Sequence, residues 1–198
     1  MDVIEKDPKF YTCFARVIIK GFMRLVYNPR YIGVENIPKD GGVVLAGNHT
    51  HNLDCLLIIA STKRCVHFMA KDSLYKGFKK HIFKHMGIIP VNRKIHDKDC
   101  LITAKNFLSK ELTVGIFPEG TINRTDDTIM PFKIGAVKMA HDTGKMIVPF
   151  TIKGKYKIFK NNLRIQYYKP IEVKDDILDK DNEKLMNIIK KNLEDEEI

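Results

Sequence analysis

The feature that most constrains this chain is a regular alternation of short apolar runs with longer amphipathic stretches. Val43–Ala46, Val66–Ala70, Gly87–Val91, Thr113–Phe117 and Ile147–Ile152 are brief, apolar and rich in Val and Ile. Runs of that length and composition read as strands buried on both faces. Leu163–Tyr168 reads as one more strand. Between them Cys55–Ala60, Ser73–His85, Asp97–Ser109 and Lys133–His141 read as helices. Leu101, Ala104, Phe107 and Leu108 form the inner face of the third, and Gly144 supplies a C-terminal stop for the fourth. Lys184–Leu193 reads as a last helix. The pattern predicts an α/β fold: a single domain with a mainly parallel mixed sheet flanked by helices. Sites in such folds collect at the carboxyl ends of strands. A chain of 198 residues is long enough for one such core and short for two.

An amphipathic helix precedes the first strand. Phe10, Phe14, Val17, Ile18, Phe22, Leu25 and Val26 recur at helical spacing, with Lys9, Arg16, Lys20 and Arg24 between them. Asn28-Pro29 ends it. We therefore divide the chain into an N-terminal helix, residues 1–30, and the α/β domain, residues 31–198.

The charge is uneven. The chain has 34 Lys and Arg against 24 Asp and Glu, but from Ile171 onward there are ten acids and five bases. Residues 1–170 thus hold 29 bases and 14 acids. A body this basic favours polyanions such as phospholipid surfaces, acidic carrier proteins, phosphorylated substrates or nucleic acid. Cys13, Cys55, Cys65 and Cys100 are scattered with no CxxC, and no signal peptide is apparent, which predicts reduced thiols in a cytosolic compartment. No window approaches the roughly 18 uncharged apolar residues of a spanning helix. The protein can lie on a membrane but is not expected to cross one.

Four polar clusters carry candidate chemistry. The first is Asn48-His49-Thr50-His51-Asn52-Leu53-Asp54, between a strand and a helix. Asp54 can orient His49 across such a turn, leaving the second ring nitrogen free to act as a base. His and Asp at this spacing also serve as turn and capping residues. His49, His51 and Asp54 could instead be three metal ligands, but no Cys or Glu completes a set, no HExxH occurs, and no metal is expected. The second cluster is Phe117-Pro118-Glu119-Gly120-Thr121, where a carboxylate beside a glycine can approach a polyol, or can simply close a turn. The third, Gly87-Ile88-Ile89-Pro90-Val91-Asn92-Arg93, puts an arginine just past a strand, where it can grip phosphate. The fourth is Ile147-Val148-Pro149-Phe150, whose proline predicts an edge strand or a bulge.

In this order, NHxxxxD, GIIPVNR, FPEGT and VPF resemble the four blocks of the glycerolipid acyltransferase family, most nearly its bacterial lysophosphatidic acid acyltransferase branch. Phe68-Met69-Ala70-Lys71 and Pro131-Phe132-Lys133-Ile134-Gly135-Ala136 fit as connecting text. The resemblance implies transfer of a fatty acyl group from acyl-CoA or acyl carrier protein to the sn-2 hydroxyl of 1-acyl-glycerol 3-phosphate, with no other cofactor. It implies His49 as the base and Asp54 as its orienting partner. Arg93 falls in the phosphate-binding block, and Glu119, Gly120 and Thr121 shape the acceptor site. Lys71 sits where the family often has a cation near the acceptor phosphate. One position departs: the arginine that usually follows the PEGT threonine is Ile122 here, and Arg124 is its candidate replacement. Backbone amides of the Gly47–Asp54 turn are candidate oxyanion donors.

A lipid acceptor implies an anionic membrane surface as partner and a peripheral location on its cytoplasmic face. The Phe10–Val26 helix has the pattern for contact, with Leu74–Met86 as a second candidate; both also fit as plain covers for the sheet. Rival readings are a related acyltransferase acting on glycerol 3-phosphate or another lyso-lipid, a metal-dependent hydrolase, and a non-catalytic module for anionic surfaces or nucleic acid. The last lacks recognisable nucleic-acid-binding signatures, so no nucleic-acid partner is expected.

Overall fold

The computed structural model describes residues 6–8, 10–71, 81, 84–91, 98–174 and 177–195. Its framework is a seven-stranded sheet: β1 (Arg30–Ile32), β2 (Val43–Gly47), β3 (Val66–Lys71), β4 (Ile89–Val91), β5 (Thr113–Ile116), β6 (Met146–Lys153) and β7 (Arg164–Tyr167). The spatial order is β1-β7-β6-β2-β5-β3-β4. β6, β2, β5, β3 and β4 run parallel to one another, and β7 is antiparallel to β6 with β1 parallel to β7. The α/β reading with a mainly parallel mixed sheet is therefore correct. β1 is a strand that the sequence pattern did not suggest. Three residues with polar neighbours carry too little periodicity to register.

Burial on both faces explains why the strands read as continuous apolar runs. Successive residues of β2 point to opposite sides. Val43 and Leu45 join one cluster with Phe68, Val148 and Phe150, while Val44 and Ala46 join a second with Val114 and Ile147. Helix α1 (Arg16–Val26) and α2 (Asp54–Ser61) cover the first face. Helices α3 (Lys98–Ser109), α4 (Gly135–Thr143) and α5 (Leu178–Glu194) cover the second. Ala104, Phe107 and Leu108 of α3 are fully buried, as the helical spacing predicts. Gly144 ends α4 in the left-handed conformation, φ +62°, with its N–H bonded back to His141 O. The last helix begins six residues earlier than predicted, at Leu178.

Pro149 decides between two expectations. β6 lies between β7 and β2, not at an edge. The bulge alternative is the one that holds. Phe150 pairs with Tyr167 but Ile147 pairs with Ile171, three steps on one side against four on the other. The proline carbonyl accepts Tyr168 N–H at 2.9 Å, so its nitrogen, with no hydrogen to donate, faces the irregular stretch after β7 rather than a regular ladder.

The N-terminal helix is real, and its packing differs from a simple two-faced pattern. A π-helical turn over Tyr11–Ala15 leads into α1. The inward side is Tyr11, Ala15 and Met23, with Ile19 and Val26 partly covered, and α1 lies on α2. The predicted stripe of Phe10, Phe14, Val17, Ile18, Phe22 and Leu25 points outward and is exposed, Leu25 at 76%. Apolar side chains thus surround most of the helix, and Lys20 and Arg24 lie among the exposed remainder. The Leu74–Met86 candidate lies mostly outside the described residues. Among the described residues no helix is long and apolar enough to cross a membrane.

Because Met23 is fully buried, Met23→Ala should cost about 2–5 kcal/mol of stability. Leu25→Ala, on the outward stripe, should stay within about 0.5 kcal/mol. Urea unfolding of the two variants beside the parent separates an integral α1 from a detachable one, which would give equal values for both.

Candidate active site

Three connections converge at the carboxyl ends of β2, β5 and β6. β2 stops at Gly47 beside Phe150, so close that a Cβ on residue 47 would sit 2.4 Å from that ring and from its carbonyl oxygen. Beyond it, Asn48 continues the pairing with its side chain. Its Nδ2 donates to Ile152 O at 2.9 Å, and its Oδ1 accepts Ile152 N–H at 2.7 Å. This clamp fixes where the next residue, His49, leaves the sheet.

The His49 ring lies flat on Phe117, with centroids 4.0 Å apart and planes 10° apart. Its Nδ1 is 2.8 Å from Asp54 Oδ2, and the His49 side chain keeps 15% exposure while Asp54 has none. A carboxylate accepts, so Nδ1 carries the proton and Nε2 presents its lone pair. Asp54 is the first residue of α2, where the helix N-terminus favours negative charge. Its Oδ2 also accepts Thr50 N–H at 2.6 Å and His51 N–H at 2.8 Å. Its Oδ1 accepts the hydroxyls of Thr50 at 3.3 Å and Tyr156 at 2.6 Å. Five donors compensate the lost hydration of a fully buried carboxylate.

Tyr156 is a site residue that sequence reasoning missed. It lies 102 residues from Asp54, in the β6–β7 connection, and no local pattern links the two. Burial first, and then the Asp54 charge, push its phenol up, so it remains a hydrogen-bond donor. Its ring also stacks on His51 at 4.5 Å. His51 Nδ1 accepts Leu53 N–H at 3.2 Å, which makes this histidine part of the turn.

Glu119 sits differently from a polyol-facing carboxylate. It is 4% exposed, and both oxygens are engaged by backbone donors. Oε1 accepts His49 N–H at 2.8 Å and Oε2 accepts Met130 N–H at 2.9 Å. Burial pushes its carboxyl up, although those two amides pull the other way. Glu119 thereby ties the β2–α2 turn to the loop that follows β5. Asn123 ties it a second time, its N–H donating to His49 O at 2.8 Å. The same Asn123 orders its own loop through Thr125 and Asp127.

Gly120 has φ +73°, and a Cβ there would meet Lys133 Nζ at 2.9 Å. Lys133 therefore lies across the glycine turn, with its backbone N–H bonded to Pro118 O at 2.9 Å. It is a second residue missed in sequence, where it was only connecting text. Thr121, Arg124 and Lys71 are exposed at the surface. Lys71 ends β3 opposite Val91. Arg93 lies outside the described residues.

One further expectation changes. In the Gly47–Asp54 turn, the amides of residues 49, 50, 51, 53 and 54 are already bonded within the protein, so they are spent as oxyanion donors. Burial, and then the Asp54 charge, push the Cys55 thiol at the start of α2 up to about 12, which suits a packing residue. Among the described residues, Asp7, Cys65 and His67 are close enough to share an ion, but they gather at the amino end of β3, away from His49.

With this geometry in place, comparisons with known proteins add a lineage. A family profile described as Acyltransferase matches residues 28–153. The 1-acyl-sn-glycerol-3-phosphate acyltransferase of Borreliella burgdorferi is 37% identical over 134 residues, covering 66% of this chain and 53% of that protein. The Bacillus subtilis protein of the same name is 31% identical over 143 residues, covering 71% and 70%. The chloroplastic LPAT1 of Arabidopsis thaliana is 29% identical over 188 residues, covering 85% and 51%. The chain thus spans about half the length of two of these three relatives. In three dimensions it superposes on the crystal structure of the 1-acyl-sn-glycerophosphate acyltransferase PlsC from Thermotoga maritima with a TM-score of 0.73. That match covers 92% of this chain and 80% of that one at 21% identity, a likeness of fold.

The bracing role of Glu119 has a direct consequence. Glu119→Gln keeps one acceptor oxygen but turns an NH₂ toward the other amide donor. It should cost about 1–3 kcal/mol through the mispaired buried group, read as a lowered urea midpoint. An unchanged midpoint would mean that the carboxylate does not hold the two loops together.

Proposed function

The chain belongs to the acyltransferase family, and from that premise we propose that it acylates the sn-2 hydroxyl of 1-acyl-glycerol 3-phosphate, drawing the acyl group from acyl-CoA or acyl carrier protein. The observation that carries the chemistry is the 2.8 Å hydrogen bond from His49 Nδ1 to Asp54 Oδ2, which directs the Nε2 lone pair to a partly open edge of the site. Nε2 takes the proton of the acceptor hydroxyl as the oxygen attacks the thioester carbonyl. The tetrahedral intermediate collapses with loss of the thiolate, which receives that proton from the imidazolium. The products are a diacyl lipid and a free thiol, and no acyl-enzyme is required. Asp54 stabilises the transient imidazolium and holds the ring. Tyr156 and the Thr50 and His51 amides in turn hold Asp54.

The acceptor phosphate needs cations within reach of the turn after β5. Arg93 and Lys71 were the candidates on the β3–β4 side, and Arg124 on the loop after Thr121. Lys133 joins them, because its ammonium lies across Gly120. Ile122 stands where an arginine is usual in the family, and Lys133 and Arg124 are candidate replacements in charge. Glycerol 3-phosphate offers the same phosphate without the acyl chain, so feeding both acceptors with a labelled thioester separates the two acylation reactions.

The acceptor and the product are lipids, which supports a peripheral position on the cytoplasmic face of a membrane. The support from the fold is the outward stripe of α1. Six large apolar side chains, all more than 40% exposed, lie beside Lys20 and Arg24, an arrangement suited to the interface of an anionic bilayer.

His49→Ala should lower thioester turnover with lysophosphatidic acid by about 10²–10⁴-fold in a variant that still folds, as circular dichroism at the assay temperature checks. Turnover within a few fold of the parent would remove His49 as the base. Lys133→Ala should raise the acceptor KM several fold at nearly constant kcat, and an unmoved KM would take Lys133 out of the phosphate site.

A further inference from the structure

Two stretches of this chain carry cations and no carboxylate. From Phe10 to Arg30 the charged residues are Arg16, Lys20, Arg24 and Arg30. From Lys153 to Arg164 they are Lys153, Lys155, Lys157, Lys160 and Arg164. The first stretch contains α1. The second contains the β6–β7 connection, and the fold sets it against the end of α1.

That connection turns at Ile158 and Phe159, which are 62% and 78% exposed. Water-facing turns are usually built from small polar residues or glycine, and a large apolar pair at the apex calls for a reason. Phe159 also has φ +57°, a left-handed conformation that bulky residues seldom adopt. The end of α1 holds it there. Phe159 N–H donates to Val26 O at 2.8 Å. Asn28 Nδ2 donates to Asn161 Oδ1 at 3.3 Å. The Tyr156 ring meets Tyr27 edge-on at 5.5 Å. The apex is thus docked at the backbone of Val26, the residue after Leu25, which is the most exposed of the α1 stripe.

We propose that the β6–β7 loop is a second membrane-contact element, which places Ile158 and Phe159 in the same anionic lipid surface that the α1 stripe enters. The proposal rests on the membrane reading above and goes beyond it, since that reading needs α1 alone. The occupant follows from charge and size. Lys155, Lys157 and Lys160 flank the apex with no acid among them, which matches a sheet of anionic headgroups. The apex itself offers about 400 Å² of apolar surface at most, against about 800 Å² that one partner contributes to a stable protein interface. Two side chains entering the acyl boundary between lysines at headgroup level need no larger area. The same loop carries Tyr156 to Asp54, so a loop seated in lipid brings the base to the depth at which an acceptor hydroxyl lies.

The chain contains no tryptophan, so Phe159→Trp and Leu25→Trp each give a protein with a single tryptophan, excited to the red of the tyrosines. Both are titrated with phosphatidylcholine vesicles containing about a third phosphatidylglycerol, with and without brominated acyl chains. Both tryptophans should shift to the blue and be quenched by bromine, with little response to phosphatidylcholine alone. Replacing Ile158 and Phe159 together by serine should weaken vesicle binding at least tenfold. If the tryptophan at 25 is quenched, the one at 159 is not, and the serine variant binds like the parent, the loop proposal falls and the membrane reading of α1 stands. If neither tryptophan responds, both fall. Should the serine variant prove poorly folded, the position-159 quenching decides alone.

Discussion

A single buried carboxylate organises this molecule's working end. Asp54 has no solvent exposure, and an ion in that position is tolerated only when its hydration is replaced. The replacement comes from three directions: the β2–α2 turn through Thr50 and His51, the ring of His49, and Tyr156 from beyond β6. The helix that Asp54 begins adds its N-terminal dipole. Removing any one donor leaves part of the charge uncompensated, so the geometry of the imidazole follows from a strong local demand. The stiffness of the site comes from satisfying that demand, and the sheet supplies the frame in which it can be met.

The frame works because parallel strands end together. β2 and β5 are neighbours in register, and β2 and β6 likewise, so the chain leaving each one enters the same small volume. Side chains then replace the ladder where it stops. Asn48 imitates a strand partner for Ile152, and Glu119 bridges the amides of His49 and Met130. Both residues are polar and nearly fully buried, and each faces backbone groups that would otherwise go unpaired. The motif residues flanking His49 thereby acquire a physical purpose distinct from contact with substrate. Asn48 aims the turn and Glu119 joins two loops. Lys71, Arg124 and Lys133 are exposed, and they are the described cations to which the proposal gives the acceptor phosphate.

How much of this was legible in the sequence depends on distance along the chain. The strands of the parallel core were readable because burial on both faces writes a continuous apolar run. The pairing of His49 with Asp54 was readable because a turn of five residues closes it. Tyr156 was not, because its partner lies 102 residues away and a tyrosine after a strand has many other uses. Lys133 was hidden in the same way, since only the fold lays it across Gly120. Pro149 was legible only as an edge strand or a bulge, because the proline rule concerns a missing donor; the fold decides for the bulge, since the donor is missing against an irregular segment rather than against solvent. Glu119 was placed near the right residues but given an outward task, since a motif does not tell which way a carboxylate points.

The N-terminal helix carries a different lesson, about what a hydrophobic pattern can settle. An apolar stripe on an ordinary surface helix faces the core, and by that rule Phe14, Ile18 and Leu25 should have been inside. The helix instead buries Tyr11, Ala15 and Met23 and turns the predicted stripe outward. Periodicity could not choose, because apolar residues cover both arcs and the cations occupy the narrow remainder. The fold makes the choice, laying α1 on α2 with Met23 fully buried and Leu25 open. Six large apolar groups left facing water would be a standing cost for a free protein. The Val26 carbonyl then anchors a loop that exposes two more beside a run of lysines. Apolar exposure beside two stretches of chain that carry cations and no carboxylate is the pattern on which the proposed lipid contact rests, and the second of those stretches is the one from which Tyr156 reaches Asp54.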